Sequence, residues 1–242
     1  MKNPGAARPA PTIPKTLAEL VGADEDLRLT LGYVAPPDRM RVAAVFALAL
    51  ELRRVPEVVK EPPIGEIRLQ WWRERLAELA AGEPPRVGHP TLEALAAAAI
   101  VTQATLPALE AAIDARAEFL YPEPFETHDA FWSTLERAEA VLLLAAPDAT
   151  PDAFMGEVRD RIGRYAAARW RARLAPALGA KLRDALLENA RSHAPIVVPD
   201  NLDPASLLFV ALTKGYLKRE PGVSWGLAKR LALFRAMALG RL

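Results

Sequence analysis

Apolar residues recur at spacings of three and four along nearly the whole chain, and alternating apolar–polar stretches are absent. That period belongs to α-helices that each bury one face. Alanine, leucine, arginine and glutamate dominate, and all of them favour helix. Prolines and glycines fall between the periodic stretches, where they punctuate. The pattern predicts helices at about 16–33, 37–55, 64–81, 90–103, 105–120, 128–146, 151–174, 176–193, 204–218 and 223–241. Pro36-Pro37-Asp38 marks one start, Thr127 or Asp129 another, and Asp203-Pro204 a third. Pro56 inside a helical pattern should end or kink that helix. The stretch APIVVPDN (194–201) reads as an extended linker. Residues 16–242 are expected to form one all-α domain. Residues 1–15 carry four prolines and no acid, and read as a disordered tail.

In EPPIGEIRLQWWRERLAEL (61–79), Leu69, Trp72, Leu76 and Leu79 form one stripe, and Ile67 and Trp71 a second about 100° away. Arg68 and Arg75 project between the stripes. Two readings follow. The helix packs against two neighbours with arginine stems along the seam. Alternatively it walls a cavity in which Arg68, Trp72 and Arg75 meet an anion, such as a diphosphate, or a partner.

Composition narrows the chemistry. The net charge is +1 and the basic residues are spread along the chain, which argues against a nucleic-acid partner. The chain has no cysteine, so disulfides, thiolate metal sites and a cysteine nucleophile are excluded. His89, His128 and His193 are far apart and form no ligand pair, which disfavours an imidazole metal site. No apolar run approaches the eighteen or so residues of a transmembrane helix. Phosphate loops of the GxGxxG or GxxxxGK(S/T) kind are missing.

Residues 26–76 carry a resemblance. A proline pair precedes an Arg-rich helix start; an apolar helix, FALALELRRVPEVV, follows; the next helix contains GEIRLQWWR, Gly65 to Arg73. This region resembles the squalene/phytoene synthase family, and most of all the divergent branch that includes the mitochondrial complex I assembly factor. Weaker echoes lie at Gly163–Arg173, at Val198-Pro199 and in RLALFRAMALGRL at the C-terminus. The resemblance implies an isoprenoid-synthase-like helical bundle around a central cavity. It also implies, for active members, head-to-head joining of prenyl diphosphates by magnesium held on two DxxxD-type motifs. Carboxylates four residues apart share a helix face and can reach the same ions.

Measured against that pattern, the first motif falls on Arg53 and Glu57, with its first position reversed in charge. The second should lie in GRYAAARWRARLAPAL (163–178), which holds no acid. The one literal DxxxD, Asp148 to Asp152, is interrupted by prolines. Glu110, Asp114 and Glu118 repeat on one helix face, either as a solvated acidic stripe relieved by Arg116 or as a one-sided magnesium site. Asp24 and Asp26 read as caps or surface charges.

The expectation is therefore a divergent, non-catalytic family member without a cofactor, acting as a binding or assembly factor, with respiratory complex I as the assembly that the resemblance points to. Its partner would be a protein or membrane-complex subunit, with an isoprenoid or lipid ligand as a further option. Its place would be the cytoplasm, peripheral to a membrane, or the mitochondrial matrix in a eukaryote. The alternative is an active prenyltransferase whose magnesium sits on Glu57 and the Glu110–Asp114–Glu118 stripe. A third reading docks the last helix on a membrane through Leu227, Leu231, Phe234, Ala238 and Leu242, although its basic residues are scattered around the wheel and a core role is the expectation for that face.

Overall fold

At the centre lies a helix whose residues 42–49, VAAVFALA, are buried on every side. Four of those eight side chains are alanine, so neighbouring helices approach it from several directions. This is α3, Arg39–Val58. The computed structural model describes residues 12–85, 88–121, 125–146, 152–192, 198, 204–221 and 223–240. The expected tail at 1–15 and the 194–201 linker fall largely outside these.

Among the described residues the elements are helical and no strand occurs. The fold is all-α, as the period of the sequence requires. α1 (Lys15–Gly22) and α2 (Glu25–Leu31) lead into α3. α4 (Pro62–Ala80), α5 (Pro90–Ala97) and α6 (Leu106–Ala117) pack beside α3. α7 (His128–Glu139), α8 (Asp152–Trp170) and α9 (Pro176–Ser192) build a second core around Phe131, Leu135, Ala166–Ala168, Leu182 and Leu186. α10 (Thr213–Leu217) and α11 (Gly226–Leu239) complete the chain.

Several long helices expected from the sequence are broken, and the breaks matter. The 16–33 stretch divides at Asp24, whose carboxylate accepts the backbone N–H of Asp26 and Leu27 and starts α2. The 128–146 stretch leaves the α-helix at Glu139 and continues as a 3₁₀ helix, Ala140–Ala145. A 3₁₀ helix also replaces the first part of the 204–218 segment, over Pro204–Leu212. Conversely, Pro56 does not end α3, which runs on to Val58. It sits in the last turn, so only one interior hydrogen bond is lost, and Val59 N still donates to Val55 O at 3.1 Å.

GEIRLQWWR owes its glycine to packing. Gly65 is buried, and a Cβ there would stand 2.2 Å from Leu120 Cδ2. α4 buries the stripe Leu69, Trp72, Leu76 and Leu79 as expected. The second stripe differs: Ile67 is 69% exposed, and Trp71 is half-buried beside Trp72 and His89.

Candidate functional site

Two places receive several of the residues singled out by the sequence: the buried centre, and a surface cleft between α3 and α4.

At the centre, Arg53 is buried and bound on two sides. Its Nε and Nη2 donate to the Glu139 carboxylate at 2.6 to 3.0 Å. Its Nη1 reaches Asp24 Oδ2 at 3.3 Å. Arg116 donates to the same Glu139 at 2.6 Å and to Ala138 O at 3.3 Å. Asp24 is also held by Arg169 at 2.8 Å. Asp26, fully buried, accepts from Tyr165 at 2.7 Å and Tyr216 at 2.5 Å, and meets Lys229 Nζ at 2.7 Å. Lys229 also holds Glu25 at 2.7 Å. Trp170 lies beneath both the Arg53 and Arg169 guanidiniums, 4.7 and 5.1 Å from its ring centroid.

Four carboxylates (Asp24, Glu25, Asp26, Glu139) thus meet four cations (Arg53, Arg116, Arg169, Lys229). Burial alone would push Glu139 up, but the two guanidiniums override it and hold this carboxyl down at about 2. Asp24 is lowered in the same way by Arg169 and Arg53 against its burial. Burial of Arg53 is outweighed by Glu139 and Asp24, so its pKa rises. Arg116 has less of Glu139, lies near Arg53, and is lowered by burial. Burial raises Tyr165 well above the ordinary phenol value, and Tyr216 to about 12.

Asp24 and Asp26 are therefore interior ion-pair partners, not surface charges; Asp24 is the helix cap as well. Arg116 does not relieve the Glu110–Asp114–Glu118 stripe, because its side chain turns inward to Glu139. Asp114 pairs instead with Arg73, and Glu118 accepts from Arg137 and Thr134 at 2.8 Å each. Glu57 is exposed and paired with Arg173, which lies just past the end of α8. Among the described residues no three acidic or histidine side chains gather as a metal site.

Sequence reasoning passed over Glu139 and its pairing with Arg53 and Arg116. A signal was present: Arg53, Arg116 and Glu139 each stand on the apolar period of their helices, beside Leu52, Ile113 and Leu135. A charge on a buried stripe implies an opposite charge facing it.

The surface cleft encloses about 510 Å³ and is lined by Glu51, Arg54, Val55 and Val58 of α3, Arg68, Trp71 and Trp72 of α4, and His89 before α5. Trp71 and Trp72 meet edge to face at 5.1 Å, and the His89 ring closes on them at 5.8 and 5.5 Å. Glu51 stands 3.8 Å from His89. Among the described residues neither Arg54 nor Arg68 has an ion-pair partner. Arg68 and Trp72, expected together, do share this cleft. Arg75 does not line it, because its guanidinium pairs with Glu78 at 3.0 Å.

A model of the squalene/phytoene synthase family matches residues 20–147, more than half of the chain. The chain belongs to that family. The match takes in Asp24, Arg53, the GEIRLQWWR helix and Glu139, and stops short of α8. No curated protein and no solved structure matches the chain significantly. Where the resemblance puts the two magnesium motifs, the chain has Arg53 at the first and Arg164, Arg169, Arg171 and Arg173 around the second, which lies beyond the matched residues. Two of these, Arg53 and Arg169, are fixed on the central carboxylates. A magnesium ion would have to displace a guanidinium to reach Asp24 or Glu139, so the residues present do not fit the metal.

Proposed function

We propose that this squalene/phytoene synthase-family protein is non-catalytic and acts as a binding or assembly factor. The observation that carries this reading is Arg53. The family's first acidic position is occupied by a guanidinium that is bound to Glu139 and Asp24 and locked inside the bundle. Head-to-head prenyl transfer uses magnesium to hold a diphosphate leaving group. An ion-paired, desolvated centre holds its carboxylates on guanidiniums and leaves none free for that step.

Binding capacity lies instead at the surface, in the Arg54–Arg68–Trp71–Trp72–His89 cleft. Two cations without ion-pair partners can take an anionic group, and the tryptophan wall with Val55 and Val58 can take an apolar body. The neighbouring ridge of Ile64, Ile67 and Trp71 stays open, as a docking face for a protein would. Because GEIRLQWWR is the segment that resembles the complex I assembly branch, assembly of a respiratory complex is the cellular role assigned to this face.

A fluorescence titration of the tryptophans with inorganic pyrophosphate and with farnesyl diphosphate, in the presence of a chelator, tests the cleft. Saturable, metal-independent binding that Arg68→Ala weakens supports the reading. Binding that appears only with magnesium would contradict it.

A further inference from the structure

The last helix, α11, presents to solvent the face that the sequence assigned to the core. Leu227 is 84% exposed, Leu231 67% and Phe234 61%. These fall at i, i+4 and i+7, and Ala238 continues the line. The opposite side anchors the helix: Leu233 and Ala236 enter the core, and Lys229 turns inward to Asp26 and Glu25. The basic residues that look scattered on a wheel therefore have two destinations. Lys229 belongs to the interior, while Arg230 and Arg235 are exposed, roughly 70° to either side of the apolar stripe.

From Pro221 to the C-terminal Leu242 the sequence contains no aspartate or glutamate. Glu25 and Asp26 are the acids paired with α11 among the described residues, and Lys229 engages both. The outward face is thus apolar along its middle and purely cationic along its edges. A soluble surface seldom exposes three successive large apolar side chains in one line.

We infer that α11 is a membrane-surface docking helix that lies in the interface of an anionic lipid leaflet. Leu227, Leu231 and Phe234 would enter the acyl boundary. Arg230 and Arg235 have stems long enough to reach outward from either flank to phosphate headgroups. An anionic surface matches both flanks at once, whereas a protein groove would need acids placed on two opposite rims. This inference is independent of the cleft between α3 and α4, which lies on other elements.

The test is co-sedimentation of the full chain with vesicles of phosphatidylcholine alone and of equimolar phosphatidylcholine and phosphatidylglycerol. Binding is expected to the anionic vesicles, to weaken as salt is raised, and to fall at least about tenfold in the double variant Leu231→Glu/Phe234→Glu. Both positions are exposed, so the thermal melting curve of the variant should match that of the parent. Arg230→Gln/Arg235→Gln should remove the preference for anionic lipid. Failure to bind either vesicle, binding unchanged by the Leu231/Phe234 variant, or a dimer that this variant dissolves would each overturn the inference.

Discussion

Arg53 and Glu139 are joined by three charge-assisted hydrogen bonds of 2.6 to 3.0 Å, 86 residues apart in sequence and both buried. Glu139 terminates α7, and the change to 3₁₀ geometry at that point coincides with its seat between Arg53 and Arg116. The pair ties α3 to α7, and through Asp24 and Arg169 it ties both to α2 and α8.

Removing one partner should be costly. Glu139→Gln leaves Arg53 and Arg116 buried with their shared charge gone, and is expected to lower unfolding free energy by about 3–5 kcal/mol. Urea denaturation near neutral pH measures this. Replacing Arg53, Arg116 and Glu139 together by Met, Met and Leu should recover most of the loss, since an apolar triad leaves no unpaired charge. A triple variant as unstable as the single one would show that the cost lies elsewhere.

Acid should unfold the protein through the same residue. Glu139 titrates at about 2 in the fold against an ordinary 4.5, so its contribution is complete above about 4.5 and disappears as pH falls toward 2. The lowered Asp24 acts in the same direction. The midpoint of urea unfolding should drop steeply between about pH 4.5 and pH 2, and Glu139→Gln should flatten that slope. An equal slope in parent and variant would remove Glu139 from the explanation.

The glycine of the GEIRLQWWR helix makes a steric prediction. Gly65→Ala drives a methyl into Leu120 and should cost about 1–3 kcal/mol, with Leu120→Ala in the same background less damaging than the sum of the two single changes. Thermal melts of the four proteins decide this.

Much of the architecture was legible in the sequence because apolar period and helix propensity agree through most of the chain. Helix ends set by a single side chain were less legible. Asp24 divides an apparently continuous helix; its cap is local and could be read as such, but its burial against Arg53 and Arg169, which arrive from distant segments, could not. The α11 face was misread for a related reason. Leu227 and Leu231 are as apolar as Leu233, and which of them faces the core is decided by the seat of Lys229 between Asp26 and Glu25. The site was half legible: Arg68 and Trp72 share a cleft, as their spacing allows. Arg54 and His89 join them only because α3 and the chain before α5 pack there.

Ion pairs fill the buried centre of the bundle, and on the proposed reading the protein is for that reason non-catalytic. The most direct measurement is pyrophosphate release from farnesyl or geranylgeranyl diphosphate, with magnesium present, by the purified full chain. No release above a no-enzyme control is expected, in the parent and in Asp114→Asn alike. Sustained magnesium-dependent turnover by the parent would contradict it.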